Sequence, residues 1–470
     1  MDKHADMIRF GNDGWKTRYE DGFTAENASR VAAAFGLLWS EEHEGATVYV
    51  GYDTRLPSEG IAREFAGVIA ACGLHAKLAS SACPTPALAW ACAHDDEAIG
   101  AVMVTASELS CEYGGIVARG ADGGPCDREF LDKVEQLVPS SPDDARGPVD
   151  IVEVVEPYIA GLFTSMGKCT PLAKPLKVVV DPMYGSGARV LSRVLRGLGC
   201  EVIEIHSRSL GDFGGIHPSP TDPWADECEQ AVISEGADLG IVLDCDGDRA
   251  GVVDESGRLL AVRELVPLVI EALARKSHAE GRVVTTLTCS TLIERQAERL
   301  GLEYVPVSVG FPYIYSEMGE GDVLLGAEEY GGICVPSHLM ERDGIYACLL
   351  VAEYLAESGR RLSELVQTQE ETLGKTYWAR RDVRLDPASA QVFRTILPGL
   401  NPPEVAGKKP VEVSHADGLR LAFDDGSWVL ARPARTDAVV RVYAEAPDAA
   451  ERDALIEGAC EAAVSGALPA

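Results

Sequence analysis

Three times along the chain a short run of β-branched residues leads into a polar or glycine-bearing loop and then a helical pattern. The runs are Val48-Tyr49-Val50, Val178-Val179-Val180 and Val283-Val284-Thr285. A second apolar run follows each of them, at Ala98 to Val104, Leu239 to Leu243 and Val323 to Gly326. Continuous apolar runs that alternate with helical patterns predict strands buried on both faces of a parallel sheet. In such sheets ligands collect at the carboxyl ends of the strands. The loops after the second runs are therefore where chemistry is expected.

Punctuation divides these units. Val138-Pro139-Ser140-Ser141-Pro142-Asp143-Asp144 is polar and carries two prolines, which predicts a boundary loop. A helical pattern from Pro157 to Met166 opens the second unit, and Asp254-Glu255-Ser256-Gly257-Arg258 predicts a hairpin turn. Beyond Gly374 the pattern changes to short alternating strands, at 411–413, 428–430 and 439–443, and a final helix over 449–464. The expected division is 1–148, 149–258 and 259–372, three α/β domains, and 373–470, an α+β domain. Length alone suggests about three domains; the change of pattern in the tail makes it four.

Composition narrows the partners. The 470 residues are 46% hydrophobic and 25% charged, which excludes wholesale disorder. No apolar run is long enough for a membrane helix, and the opening MDKHADMIRFGNDGW lacks the apolar core of a secretory signal. The formal charge of −32 repels nucleic acid and anionic membrane. The 13 cysteines form neither a CxxC pair nor a zinc-like cluster with histidine, which predicts buried thiols in a reducing cytoplasm.

Four loops carry candidate chemistry. In Thr105-Ala106-Ser107-Glu108, Ser107 at a strand end could act as a nucleophile; Thr105 and Glu108 also fit a helix capping box. In Asp244-Cys245-Asp246-Gly247-Asp248-Arg249, three carboxylates at alternate positions repel one another and suit a hard cation such as Mg²⁺ or Ca²⁺. A solvated acidic turn, an EF-hand loop and a haloacid-dehalogenase-type nucleophile loop are the alternatives. Arg249 stands where an EF-hand needs glycine, and Asp248 where the dehalogenase motif needs threonine. Gly326-Ala327-Glu328-Glu329-Tyr330-Gly331-Gly332 places adjacent glutamates between glycines, suited to vicinal sugar hydroxyls or to a surface turn. Arg432-Pro433-Ala434-Arg435-Thr436-Asp437 could clamp a phosphate through its guanidinium groups, or be a basic turn.

In this order the loops resemble those of the α-D-phosphohexomutases, the phosphoglucomutase and phosphomannomutase superfamily, over essentially the whole chain. Phe10-Gly11-Asn12-Asp13-Gly14-Trp15-Lys16 is similar to the family's FGTDGWR, and Gly51 to Arg55 to its GxDTR. Thr105-Ala106-Ser107 is similar to the start of TASHNP, Asp244 to Arg249 to DxDxDR, and Gly326 to Gly332 to GEESGG. Arg342-Asp343-Gly344 resembles KDG, and the Arg432 loop RPSGTEP. Departures are Glu108 for the motif histidine, Pro312 for a lysine after Gly310-Phe311, Tyr330 for serine in the sugar loop, and Ala434 and Arg435 in the phosphate loop.

The resemblance implies three similar mixed-sheet α/β domains and a C-terminal α+β domain around a central cleft. It implies phosphoryl transfer between hexose 1-phosphate and hexose 6-phosphate, of glucose or mannose, through a phosphoserine and a hexose bisphosphate. Ser107, Arg249 and Lys16 would be catalytic. Ser107, Asp244, Asp246 and Asp248 would hold Mg²⁺. Glu328, Glu329, Gly310, Arg432, Arg435 and Thr436 would bind the phosphosugar. A monomer or homodimer is expected, with no nucleic-acid or membrane partner. A mutase for another phosphosugar and a sugar-phosphate-binding homologue with little turnover are the alternatives.

Overall fold

The first β-branched run, Thr47–Tyr52, is a strand buried along its whole length. It pairs in parallel with Ala98–Val104 on one side and His75–Ala79 on the other. Beyond Ala98–Val104 the sheet continues with two antiparallel strands, Tyr113–Gly120 and Trp15–Arg18. The computed structural model describes residues 8–465 except 13, 143, 168–170, 277–279 and 435–437.

The plan recurs twice. Lys177–Asp181 lies between its parallel neighbours Leu239–Leu243 and Glu201–Glu204, with Ala250–Asp254 antiparallel at the edge. Arg282–Thr286 lies between Glu303–Val307 and Val323–Ala327, with Ile333–Cys334 antiparallel. The sheets are thus mixed, where the apolar runs alone predicted parallel ones. The reason is the length of three loops. A parallel return needs a crossover of about a dozen residues or more. The connections 105–112, 244–249 and 328–332 are too short, so each following strand must come back antiparallel. These hairpin loops carry the candidate chemistry.

One boundary moves. The segment Val149–Val152, expected to open the second unit, pairs in parallel with His75–Ala79 and completes the first sheet. The proline-bearing loop before it separates a helix from an edge strand of the same sheet.

The units are not equally independent. Val178 and Leu239 of the second sheet share one hydrophobic cluster with Val283 and Leu325 of the third. Helix Gly344–Ser358 lies in that cluster and is buried on nearly every side. Its N-terminus is capped by Asp343, which accepts from the Tyr346 amide at 2.8 Å. Gly344 has no side chain because a Cβ there would lie 2.6 Å from the Arg249 carbonyl carbon. The first and C-terminal units have clusters of their own. The latter is an antiparallel sheet in the order Tyr377–Arg384, Val439–Ala446, Trp428–Pro433, Leu419–Ala422, Glu412–Ser414. Helix Ala449–Ser465 packs on it.

Among the described residues no helix is long and apolar enough to cross a membrane. The described cysteines are free thiols, and all but Cys72 and Cys111 are buried.

An ion pair closes the end of the second sheet. His206 Nδ1 lies 3.0 Å from both oxygens of the buried Asp181, and Nε2 lies 3.0 Å from Glu227. The hydrogen bond to Asp181 raises the His206 pKa above its ordinary 6.5, against the cost of burial, with Glu227 adding to it. The folded state therefore binds the proton more tightly than the unfolded chain. This contribution is complete below the unfolded pKa and lost as pH rises through the folded one. Urea unfolding should show a fall in stability from about pH 6 upward. His206→Gln should flatten that part of the profile.

Candidate active site

Ser107 stands in the loop after Ala98–Val104. No helix starts there; the Thr105 hydroxyl instead accepts from the Ser107 amide at 2.9 Å, so the capping-box alternative does not describe this loop. Ser107 is buried and has φ 51°, a left-handed conformation in a residue other than glycine. Such a backbone costs about 1–3 kcal/mol and persists only where its surroundings impose it. Arg55 does so. Its Nη2 donates to the Ser107 carbonyl at 2.9 Å and also to that of Leu109. Arg55 is itself buried, ion-paired with Asp53, and lies 4.9 Å from the ring centre of Phe213 in the second unit. Asp53 is held by the Ser58 hydroxyl at 2.7 Å.

The acidic loop of the second unit meets this serine. Ser107 Oγ donates to Asp244 Oδ2 at 2.9 Å and lies 3.4 Å from Asp248 Oδ1. Asp244, Asp246 and Asp248 are all buried, and each offers a carboxylate oxygen within 4.8 Å of the others. Burial, together with the charges of Asp248 and Asp246, pushes the Asp244 pKa well up. Burial and Asp248 raise that of Asp246 to about 6. Thr85 satisfies Asp246 Oδ2 at 2.7 Å, while Oδ1 is buried with no hydrogen-bond partner. An oxygen-only donor set with an orphaned buried carboxylate oxygen fits a hard divalent cation. No helix flanks the loop on either side, which sets it apart from an EF-hand.

Cations surround the acidic loop. Arg249 pairs with Glu108, and Arg342 Nη2 lies 2.9 Å from Asp248 Oδ2. Burial would raise the Glu108 pKa, but Arg249 and Lys16 outweigh it and hold the group at about 2. Lys16 also lowers the pKa of Asp246, so its charge reaches both sides of the serine. Cys245 lies among these groups, with its thiol pushed up by burial and the nearby Asp53.

Arg342 links the third unit to the metal loop. Its Nη1 donates to Glu328 at 2.9 Å and its Nε to Glu341 at 3.2 Å, and Glu341 pairs in turn with the buried Arg119. Glu329 accepts from the Thr286 hydroxyl at 3.0 Å and borders a cavity of about 280 Å³ shared with Tyr330 and Trp378. Gly310 has φ 133°, and a Cβ there would lie 2.6 Å from Asn12 Nδ2. Asn12 in turn donates to the Val309 carbonyl at 3.2 Å. Arg432 is buried and donates to Asp417 Oδ2 at 2.8 Å; the same oxygen accepts from the Val309 amide at 2.8 Å. Arg432 is thereby joined to the Gly310 loop. Arg435 and Thr436 lie outside the described residues.

The fold thus brings Ser107, Asp244, Asp246, Asp248, Arg249 and Lys16 into one locus, with Glu328 tied to it through Arg342. Thr85, Arg119, Glu341 and Asp417 were not singled out by sequence. Thr85 stands in Cys83-Pro84-Thr85-Pro86, which reads only as a helix start. Arg119 and Glu341 pair across more than two hundred positions, and Asp417 meets Val309 108 positions away.

The described fold is thus three α/β units and an antiparallel C-terminal domain, with a buried serine against an acidic triad. Three family signatures match in order: phosphoglucomutase/phosphomannomutase α/β/α domain I over 7–144, domain II over 156–257 and domain III over 263–372. A "Phosphoglucomutase/phosphomannomutase" of Thermococcus kodakarensis is 30% identical over 444 residues, 93% of this chain and 94% of its own. A "Phosphoglucosamine mutase" of Synechococcus elongatus is 31% identical over 364 residues, 76% of each. The structure of a phosphoglucomutase/phosphomannomutase family protein from Burkholderia thailandensis superposes with a TM-score of 0.81 at 22% identity, covering 97% of this chain and 98% of that one. The chain belongs to the phosphoglucomutase/phosphomannomutase family, within the α-D-phosphohexomutase superfamily.

The repulsion inside the triad is open to measurement. In metal-free buffer Asp246→Asn should melt no lower than the wild type, and by relief of like charge a few degrees higher (roughly 1 kcal/mol). Mg²⁺ at about 100 times its dissociation constant should stabilise the wild type by about 2–3 kcal/mol and leave the variant unmoved. Thermal melts with and without Mg²⁺ read both effects.

Proposed function

We propose that the protein interconverts hexose 1-phosphate and hexose 6-phosphate, of glucose or mannose, by moving a phosphoryl group between Ser107 and the sugar. The observation that carries this reading is the placement of Ser107 Oγ, buried in a strained loop and 2.9 Å from Asp244. Phosphoryl transfer is chiefly a matter of positioning and of charge neutralisation, and this locus supplies both.

Ser107 carries the phosphoryl group in the resting enzyme. Arg55 fixes the carbonyl of Ser107 and so limits the directions in which Oγ can point. Asp244, Asp246 and Asp248, with an oxygen of the phosphorylated Ser107, would hold Mg²⁺. When bound, that ion supplies positive charge against the phosphoryl oxygens. Arg249 and Lys16 supply further positive charge on the same side. Glu108 is ionised and tied to Arg249, so it sets the place of that guanidinium and is a weak proton acceptor.

Glu328 and Glu329 accept hydrogen bonds from the ring hydroxyls, and the loop at Gly310 borders the sugar. Arg432, with Arg435 and Thr436, holds the phosphate already on the substrate. The free hydroxyl attacks the phosphorus, the Ser107 Oγ–P bond breaks, and the proton of the attacking hydroxyl ends on Ser107 Oγ, giving a hexose bisphosphate and the free serine. After the sugar turns end for end, the other phosphate returns to Ser107. The buried free thiols suit a reducing cytoplasm.

A second reading, an amino-sugar phosphate as substrate, is favoured by the relatives named phosphoglucosamine mutase at similar identity. The two adjacent glutamates of the sugar loop favour a plain hexose.

Intact-mass analysis of the purified protein should show one added phosphoryl group, absent from Ser107→Ala. With Mg²⁺ and a hexose 1,6-bisphosphate primer, the wild type should isomerise glucose or mannose 1-phosphate. Ser107→Ala should be at least about 1,000-fold slower, as expected when a covalent nucleophile is removed. Turnover of glucosamine 1-phosphate alone would replace the first reading by the second. Binding of all three without turnover of any would reduce the protein to a phosphosugar-binding homologue.

A further inference from the structure

Tyr330 stands directly after Glu329 and reaches out of its own domain. Its hydroxyl accepts a hydrogen bond from Arg380 Nη1 at 2.7 Å, on the first strand of the C-terminal domain. The guanidinium carbon of Arg380 lies 5.3 Å from the centre of the Tyr330 ring and 5.7 Å from that of Tyr443. Arg380 is held within its own domain by Asp382, through Nε at 2.5 Å and Nη2 at 2.6 Å. Its Nη1 is therefore placed before the two domains meet, and little side-chain entropy remains to be lost on contact. Trp378 meets the edge of the Tyr330 ring at 6.3 Å. A serine at position 330 could not span this distance.

The two domains also touch near the chain crossing. There the buried Glu445 accepts from the Thr291 amide at 2.8 Å, the Thr376 hydroxyl at 2.6 Å and the Ser290 hydroxyl. These contacts sit at the point about which the C-terminal domain would turn. Trp378, directly opposite Glu445 in the sheet, donates its Nε1 to the Thr288 carbonyl at 2.8 Å at the same place. Arg380 lies two residues, about 7 Å, further along the strand, so a rotation of about 15° there moves it by about 2 Å. That is enough to break its bond to Tyr330 while the Glu445 contacts persist.

We propose that Tyr330 is a positioning residue: through Arg380 it latches the C-terminal domain to the 326–332 loop, so that Glu328, Glu329 and Arg432 close on a substrate as one unit. The proposal rests on the reading that both elements hold the same phosphosugar. Loss of the latch raises the fraction of open protein and weakens apparent affinity by that fraction. The chemical step at Ser107, on the first and second domains, is untouched.

The test compares wild type, Tyr330→Phe, Arg380→Gln and the double variant. Each single variant should raise KM for the turned-over hexose 1-phosphate about 10-fold, with kcat within about twofold, and the double variant should be no worse than either single one. Small-angle X-ray scattering of the ligand-free proteins should give a larger radius of gyration for the variants, with melting temperatures close to the wild type. An unchanged KM, a fall in kcat at unchanged KM, or additive effects in the double variant would overturn the latch. So would an unchanged radius of gyration. If the wild type turns over no phosphosugar, the functional reading fails, and the scattering comparison still decides the latch.

Discussion

Mutual repulsion among Asp244, Asp246 and Asp248 is the constraint on which the rest of the site depends. Buried carboxylates with oxygens within 4.8 Å of one another are unfavourable in a low-dielectric interior unless positive charge is brought to them. The chain answers from every side. Lys16 comes from the first unit, Arg249 from the loop itself and Arg342 from the third. Arg342 is in turn braced by Glu341, which pairs with Arg119 of the first unit. The site is an electrostatic balance in which an ion is the natural remaining member, and the hydroxyl of Ser107 lies inside it.

The same balance explains the architecture. Each α/β unit presents one of its site loops, with Ser107, with the acidic triad or with Glu328 and Glu329, as a hairpin at the carboxyl end of a parallel strand. Such a loop is short, returns antiparallel, and stays anchored at both ends by sheet hydrogen bonds. Its side chains are consequently held more rigidly than those of a long crossover. The second and third units share one hydrophobic cluster, so the acidic loop and the 326–332 loop keep a fixed separation. The C-terminal domain has a core of its own and meets the third unit through polar contacts that include those at Glu445, Trp378, Asp417 and Tyr330. The acidic loop and the 326–332 loop are thus tied by a common core, and the C-terminal domain by side-chain contacts at its edge.

Much of this was legible along the chain. The β-branched runs marked the central strands because a doubly covered sheet needs continuous apolar residues, and the loops stood out because alternate carboxylates and paired glutamates are costly without a ligand. Other features left no local trace. The antiparallel edges follow from loop length and sheet closure, not from residue type. Val149–Val152 looked like the start of a new unit because the prolines before it resemble a linker; its partner strand lies some seventy positions earlier, at His75–Ala79. Thr105 and Glu108 fit a capping box in spacing, but no helix forms. Thr105 instead accepts from the Ser107 amide, and Glu108 pairs with Arg249.

The sequence by itself determined the types of donor and the ends of strands at which they stand: a serine, an acidic triad, two glutamates and an arginine loop, each on its own unit. These are local properties, set by side-chain chemistry and by the period of apolar residues. Only the tertiary structure decided that Ser107 meets Asp244, 137 residues away, that Thr85 completes one side of Asp246, and that Tyr330 reaches across to Arg380. Such meetings depend on how separate sheets pack and which loops their edges present, and that is settled by burial and charge summed over the whole molecule.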